Sequence, residues 1–205
     1  MKPWNVALVL IAVSLPLSCA APGVSSAEPK DPLPAPDAQE KMQALRDFGA
    51  AYEYNTDYME ALLEMSPEGY ATFEAAMGMG EYREHLSLDA HHVARISALL
   101  GDDCGACTQL GLRLAVEAGV RREILQQLLS EPESLPELLK LVHEYAFEVG
   151  KGNNASLELV GQLREALGDQ GFAELSVNVV GIGIYPALRR AIGAETVCPD
   201  PSLDF

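Results

Sequence analysis

From residue 38 onward, apolar side chains recur at steps of three and four, the spacing that places them on one face of an α-helix. Strand signals are absent from this part of the sequence. The first apolar series, whose spacing recurs farther along the chain, comprises Met42, Leu45, Phe48 and Tyr52. This periodicity predicts an all-α fold, a single bundle of about seven or eight helices over residues 38–194.

Capping residues and glycines predict where several of these helices begin and end. Ser66, followed by Pro67, begins a helix that we expect to end at Gly78-Met79-Gly80. Ser87 begins the next helix, which we expect to end at Gly101. These boundaries separate consecutive helices by short connections, as an antiparallel bundle requires.

The second half of the chain predicts a long apolar helix close to its end. Asn153 or Asn154 is expected to cap a helix that stops at Gly168. Residues 170–192 then form the most apolar helix of the chain, but polar side chains interrupt its apolar run. We therefore predict a central buried helix with a kink near Pro186 rather than a transmembrane segment.

Residues 1–27 have the pattern of an export signal rather than of folded structure. Lys2 gives a positive start, residues 6–17 form an apolar run too short to span a bilayer comfortably, and Ser25-Ser26-Ala27 offers small residues for cleavage. An alternative is a lipoprotein signal that ends before Cys19, which would then carry a lipid anchor; we favour plain cleavage. Either signal places the mature chain outside the cytoplasm, as a periplasmic, secreted or membrane-anchored protein.

Two short segments flank the predicted bundle. Residues 28–37 hold four prolines in ten residues and predict an extended tether between the export signal and the folded domain. Residues 195–205 are expected to form a proline-containing C-terminal tail that includes Cys198.

The acidic balance of the chain limits its possible partners. Lys and Arg total 14 against 30 Asp and Glu, which gives a formal net charge of −16 and a sequence pI of about 4.5. This balance argues against binding to nucleic acid or to an anionic membrane surface through a basic patch. The acidity is otherwise typical of a solvated protein surface.

The strongest chemical signal is Cys104-Gly105-Ala106-Cys107 at the predicted start of a helix, where Asp102 or Asp103 is expected to supply the cap. Free backbone N–H groups and the positive end of the helix dipole stabilise a thiolate there and lower its pKa. The two-residue spacing allows a disulfide, which an oxidising compartment favours. Cys104 and Cys107 are therefore the candidate redox-active pair, and Cys198 is left as a third thiol.

Other interpretations of the cysteine pair stay open at this point. The pair could be a structural disulfide that staples the end of a helix. With His91 and His92 it could also form a zinc site, although adjacent histidines on a helix point roughly 100° apart. A c-type haem site is excluded because Thr108, not histidine, follows the second cysteine.

His92 is the candidate proton shuttle of this region. His92, Ile96, Leu99 and Asp103 fall on roughly one face of the preceding helix, so the imidazole can face the cysteines across the helix hairpin. A histidine with a pKa near neutrality would deprotonate a thiol or protonate a leaving hydroxyl group. A hydrogen-bonded structural histidine is the alternative interpretation.

Four segments together resemble the carboxymuconolactone decarboxylase and alkyl hydroperoxidase D superfamily. They are H-H-V-A-R-I-S-A-L-L, D-D-C-G-A-C-T-Q-L, A-V-E-A-G-V-R-R-E-I-L and V-N-V-V-G-I-G-I-Y-P-A-L-R-R-A-I-G, within residues 40–194. The resemblance implies an alkyl hydroperoxidase D-like helical fold that assembles as trimers or hexamers.

The CxxC pair makes the resemblance specific to the hydroperoxidase branch of that superfamily. By position, the resemblance implies that Cys107 attacks the peroxide and that Cys104 resolves the sulfenic acid. That branch also uses a glutamate twelve residues before the first cysteine and a histidine four residues after the second. His92 and Gly111 occupy those places here.

The sequence thus leads to one functional hypothesis and one alternative. The hypothesis is an exported, CxxC-dependent thiol oxidoreductase that reduces a hydroperoxide or exchanges disulfides, using Cys104, Cys107 and His92. It needs an external dithiol reductant but no bound cofactor or metal. The alternative is a non-catalytic helical oligomer in which the CxxC disulfide is structural.

Overall fold

A computed structural model of the chain describes residues 35–194 and 200–205. Within these residues the fold is all-helical, with eight α-helices and no strand, which confirms the predicted all-α bundle. The predicted export signal, Cys19 and Cys198 lie outside the described residues. The helices are α1 (Ala35–Tyr52), α2 (Asp57–Met65), α3 (Pro67–Glu81), α4 (Leu88–Gly101), α5 (Gly105–Glu117), α6 (Arg122–Ser130), α7 (Glu137–Gly150) and α8 (Leu157–Ile192), with a short 3₁₀ turn (Pro132–Ser134) between α6 and α7.

Serine side chains cap three of these helices. The Ser66 hydroxyl accepts the N–H of Gly69 at 3.0 Å, and the Ser87 hydroxyl accepts the N–H of Ala90 at 3.2 Å, as their positions in the sequence predict. At α8, however, Ser156 is the cap rather than Asn153 or Asn154, because α7 and its terminal turn extend through this region. α1 begins at Ala35, so its first turn lies in the segment predicted as a tether.

Helix α3 does not stop at Gly78-Met79-Gly80 but continues to Glu81. The reason is tertiary: a Cβ atom added to Gly181 of α8 would lie 2.4 Å from the backbone nitrogen of Gly80. Glycines at this crossing let the two helix backbones approach closely, and the resulting packing keeps the helix intact.

Helix α8 is interrupted at Gly168, where φ is 71° and ψ is 169°, at the position predicted as a stop. No other residue within α8 has non-helical dihedrals, so the backbone departs from helical geometry at Gly168 rather than near Pro186. Among the described helices, α8 is long and apolar enough to cross a membrane, but 44% of its most apolar window is buried inside the fold. This burial matches the predicted core helix.

Two hydrophobic clusters make up the interior. The larger involves α4 to α8 and includes Val93, Leu99, Leu112 and Leu163. The smaller is built from α1 to α3 and their connections, and its buried members are Leu45, Tyr54, Tyr58, Met59, Leu63 and Tyr70. Tyr185 of α8 packs against both clusters and so marks the boundary between them.

A buried carboxylate fixes the connection that leads into α4. Glu174 of α8 accepts the backbone N–H groups of Glu84, His85 and Leu86 at 2.9, 2.7 and 3.0 Å. Burial alone would raise the pKa of Glu174, but these three N–H groups outweigh it and hold the pKa below its ordinary value. The entry to α4, and therefore the position of its histidines, depends on this carboxylate.

Candidate active site

The turn between α4 and α5 positions the cysteine pair. Asp103 has a left-handed backbone with φ of 54°, and the N–H of Cys104 then donates to the carbonyl of Leu99 at 3.1 Å. Cys104 itself occupies the cap position of α5 and makes no side-chain capping bond. The predicted cap at Asp102 or Asp103 is therefore wrong, because both residues are used to end α4.

Asp102 does not cap α5 but pairs with a side chain of α8. Its carboxylate forms an ion pair with the guanidinium of Arg190 at the end of α8. The positive charge of Arg190 offsets the negative charge that Asp102 places beside the cysteines.

Cys104 and Cys107 form a disulfide, with their Cα atoms 5.3 Å apart. Only 6% of Cys104 and 4% of Cys107 is exposed to solvent. Cys107 lies in the first turn of α5, where free N–H groups and the helix dipole stabilise a thiolate once the disulfide is reduced. The structure thus brings the two predicted cysteines together at the predicted helix start.

A cavity of about 490 Å³ reaches Cys107 from the boundary between the two hydrophobic clusters. Its wall includes Cys107 but not Cys104, so a molecule in the cavity meets the second cysteine of the motif. His92 lines the same cavity, as predicted from its helix face. The remaining wall is formed by residues from α1 to α5, α8 and the connections between them.

Tyr54 places a hydroxyl group beside the disulfide. Glu53 has φ of 51°, and the N–H of Tyr54 returns to the carbonyl of Gly49 at 2.9 Å, which ends α1. The Tyr54 hydroxyl then lies 3.8 Å from Cys107 Sγ and 3.1 Å from the hydroxyl of Tyr58. Burial raises the pKa of Tyr54, so this hydroxyl keeps its proton at neutral pH.

Arg189 supports the two tyrosines from α8. Its guanidinium carbon lies 5.3 Å from the ring centroid of Tyr54 and 4.7 Å from that of Tyr58. Its Nη2 atom donates to the carbonyl of Asn55 at 3.0 Å. The guanidinium therefore holds both rings and the connection between α1 and α2 in place.

His92 faces the cavity in a neutral form. Burial, followed by the positive charge of Arg95, lowers the pKa of His92 to about 4. The near-neutral pKa that its predicted role implied is therefore wrong for this environment. Among the described hydrogen bonds, none joins His92 to either cysteine, although His92 and Cys107 line the same cavity.

His91 pairs with an arginine rather than with the cysteines. Its Nε2 atom lies 3.2 Å from Nη1 of Arg95, one helical turn along α4. Among residues 35–194 and 200–205, no group of three or more His, Cys, Asp or Glu side chains is placed to bind a metal ion. In the structure the two cysteines bond to each other, and Nε2 of His91 faces the guanidinium of Arg95.

Gly111 lines the cavity one turn after Cys107. A Cβ atom there would lie 3.4 Å from Cγ1 of Ile96 and 3.6 Å from Cδ1 of Leu99, in ordinary contact. Because glycine has no side chain, the cavity wall has open space at the position where the family resemblance implies a histidine.

The sequence did not reveal two important residues of this site. Arg95 follows His91 by four residues and so shares its helix face, a signal that could have identified it. Tyr54 is separated from Cys107 by 53 residues, and no local spacing connects them. In the structure its hydroxyl lies at the disulfide.

No protein-family model matches the sequence, and neither a curated protein nor a solved structure matches it. The family resemblance of the cysteine region therefore stays a prediction.

Proposed function

We propose that this protein is an exported, CxxC-dependent thiol oxidoreductase that reduces an organic hydroperoxide. The observation that carries the proposal is the cavity that ends at Cys107 and is also lined by Tyr54 and His92. Peroxide reduction needs a reactive thiol, access for the peroxide, and nearby groups that hold and accept protons. Cys107 at a helix N-terminus, the cavity, and the side chains of Tyr54 and His92 meet these needs in turn.

The proposed reaction has three steps: oxidation of Cys107 by the hydroperoxide, condensation with Cys104, and reduction of the disulfide. The Cys107 thiolate attacks the distal oxygen of the hydroperoxide; the O–O bond breaks, the alcohol leaves with a proton, and Cys107 becomes a sulfenic acid. The Cys104 thiol then condenses with the sulfenic acid to give the disulfide and water. An external dithiol returns two electrons and two protons to the pair and becomes a disulfide itself.

Tyr54 and His92 have distinct proposed roles. The protonated Tyr54 hydroxyl donates a hydrogen bond to the Cys107 thiolate or to the developing alkoxide. Neutral His92 accepts a hydrogen bond from the bound hydroperoxide and orients it, since its low pKa disfavours a lasting positive charge.

Burial of the pair favours a small substrate over exchange with a large protein disulfide. Both sulfur atoms belong to residues that are at least 94% buried, and Cys107 faces a cavity rather than the surface. A hydroperoxide and a small dithiol can enter this cavity, whereas a second folded protein would need local opening of the fold.

A structural disulfide is the second candidate, and the same burial supports it. In that role the pair would staple the α4–α5 connection and would have a low reduction potential. Equilibration of the protein with glutathione redox buffers distinguishes the two. A catalytic pair is reduced within the range of cellular dithiols, whereas a staple resists reduction.

We also propose that the protein acts outside the cytoplasm, that it belongs to the CxxC branch of the alkyl hydroperoxidase D-like superfamily and that it forms trimers or hexamers. The predicted signal in residues 1–27 and the resemblance of residues 40–194 support these proposals. Intact mass of the exported protein tests cleavage against a lipid anchor at Cys19. Sedimentation equilibrium tests the oligomer.

The test of the reaction uses the full chain with Cys19→Ser and Cys198→Ser, so that only the CxxC thiols remain. After reduction, one equivalent of cumene hydroperoxide is added and thiol loss is followed by intact mass. We expect rapid disulfide formation, no reaction after Cys107→Ser, and accumulation of a Cys107 sulfenic acid after Cys104→Ser.

A matched pair of tyrosine variants tests the hydroxyl. Tyr54→Phe should slow the first step by about tenfold, the effect of losing one charge-assisted hydrogen bond of roughly 1.4 kcal/mol. Tyr52→Phe is the control, because its hydroxyl bonds to Glu117 at 2.8 Å outside the cavity. Oxidation of the reduced protein no faster than that of N-acetylcysteine would exclude the proposed reaction.

A further inference from the structure

The cavity changes in chemical character along α4. The carbonyl of Leu99 accepts the N–H of Cys104 at 3.1 Å, so Leu99 lies level with the cysteine pair. His91 precedes Leu99 by eight residues, about 12 Å along a helix that rises about 1.5 Å per residue. Both residues line the cavity, which therefore extends from Cys107 to the first turns of α4.

The wall between these two ends is largely apolar. Six of its side chains, from five different helices, are aliphatic, aromatic or thioether groups. They are Phe48, Met59, Leu99, Leu110, Leu114 and Ile182. A ligand that fills the cavity must therefore have an apolar body.

At the far end, His91 has an unused hydrogen-bond donor. Its Nε2 atom lies 3.2 Å from Arg95, whose guanidinium can only donate, so Nε2 accepts and the ring proton resides on Nδ1. Nδ1 has no partner although only 4% of His91 is exposed. A buried donor without an acceptor is costly, and an acceptor atom of a ligand would satisfy it.

Arg95 presents a buried cation beside this donor. Only 8% of Arg95 is exposed, and its Nη2 atom pairs with Oε1 of Glu81 at 2.8 Å. The Glu81 side chain is 65% exposed, so its carboxylate contacts the Arg95 guanidinium from the solvent side. The contact shows that the guanidinium is accessible to a carboxylate at this end.

The ionised groups of the cavity wall have a net positive charge on a strongly acidic protein. Arg83 and Arg95 carry two positive charges against the single negative charge of Glu81, while His91 and His92 are neutral. The chain as a whole carries a formal charge of −16. The cationic end is therefore a local exception to the charge of the molecule and attracts an anion.

We infer that the cavity binds a medium-chain monocarboxylate, with its carboxylate at His91 Nδ1 and Arg95 and its alkyl chain directed toward Cys107. Resting on the proposed function, the substrate is then the hydroperoxide of such a fatty acid. The two-electron reduction converts the hydroperoxide to the hydroxy acid, with water formed when Cys104 resolves the sulfenic acid.

Binding is tested on the full chain with the disulfide intact and with no hydroperoxide present. Calorimetric titration compares octanoate with 1-octanol, which has the same chain length but no charge. We expect one octanoate site, and a preference for octanoate over 1-octanol of at least about tenfold, as one charge-assisted hydrogen bond provides.

Two variants and a control locate the carboxylate. His91→Phe keeps a ring but removes the donor, and Arg95→Gln removes the charge; each should reduce the preference for octanoate to about twofold or less. His85→Phe, at an exposed histidine outside the cavity, should leave the preference unchanged. Circular dichroism checks that each variant is folded.

Equal affinity for the two ligands, no binding of either, or a preference that persists in both folded variants would each overturn the inference. Because no thiol chemistry takes part in the titration, the result is independent of the peroxidase assay. A protein that binds octanoate but reduces no hydroperoxide would retain the carboxylate site and lose only the proposed reaction.

Discussion

Two residues with a left-handed backbone, Glu53 and Asp103, each stand directly before a side chain of the site. In both cases the next residue donates its N–H to the carbonyl five positions earlier, and that residue is Tyr54 or Cys104. The same type of helix ending elsewhere in the described chain uses glycine, as at Gly119. The site is therefore positioned by two turns at which an ordinary side chain is kept at a conformational cost.

Replacement of Asp103 tests that cost. Asp103→Gly should unfold at higher urea than Asp103→Ala, by about 1 kcal/mol in the free energy of unfolding, because glycine adopts the left-handed region without a Cβ clash. Both variants remove the same carboxylate, so their difference isolates the backbone. Equal stability of the two variants would show that the left-handed backbone at residue 103 has no such conformational cost.

At this scale the sequence predicts residues whose signals are local. The CxxC spacing and the helix face of His92 identify two parts of the cavity wall without any structure. The pKa of His92 could not be predicted, because it depends on burial and on Arg95. Tyr54 could not be predicted either, since its place at the disulfide depends on packing between α1 and α5.

Helices cross at glycines in two places, and these crossings determine how the bundle packs. In α4 and α7, Cβ atoms added at Gly101 and Gly150 would lie 2.2 Å from the carbonyl oxygens of Phe147 and Ala98. In α3 and α8, the close pair is Gly80 and Gly181. At Gly101, Gly150 and Gly181 the neighbouring backbone leaves no space for even a methyl group.

The crossing of α3 and α8 supplies a matched pair of variants. Gly181→Ala should destabilise the fold by about 1–3 kcal/mol, because the new methyl group would lie 2.4 Å from the nitrogen of Gly80. Gly80→Ala should be neutral or slightly stabilising, since its nearest neighbour lies 3.6 Å away and alanine favours helix. Urea unfolding measures both, and a similar loss in each would contradict this packing.

Some helix boundaries depend on local sequence, and others depend on contacts between helices. Ser66 and Ser87 begin their helices through capping bonds between residues three apart, which depend on local sequence alone. The continuation of α3 past Gly78 depends on contact with α8, which no local pattern contains. The shift of the cap from Asn153 or Asn154 to Ser156 at the start of α8 likewise depends on where α7 ends.

At the scale of the whole molecule, buried titratable groups link stability to pH. Burial lowers the pKa of His91 to about 3 and that of His92 to about 4, from ordinary values of 6.5. The pKa of Glu174 is also held below its ordinary value. As pH falls, all three groups take up protons in the unfolded chain before they do so in the fold.

The free energy of unfolding should therefore decrease as pH falls from about 6.5 toward 4, because the unfolded state binds more protons in this range. Glu174 adds to the decrease below pH 5, because its carboxylate takes up a proton in the unfolded chain while it is still charged in the fold. Urea unfolding at pH 7 and pH 5, at 0.15 M salt to screen the net charge, measures it. His92→Gln should reduce the difference in the free energy of unfolding between the two pH values. A protein more stable at pH 5 than at pH 7 would contradict the lowered pKa values of these buried groups.

The placement of the cavity between two hydrophobic clusters has a further consequence for access. If the smaller cluster of α1 to α3 opens while α4 to α8 stay folded, Tyr54 leaves Cys107 and the disulfide meets bulk solvent. Under the proposed function, a small dithiol should reduce the closed form, whereas a polymer-linked dithiol should have to wait for this opening. The ratio of the two rates would then report the free energy of a native-state fluctuation, with the disulfide acting as its own probe.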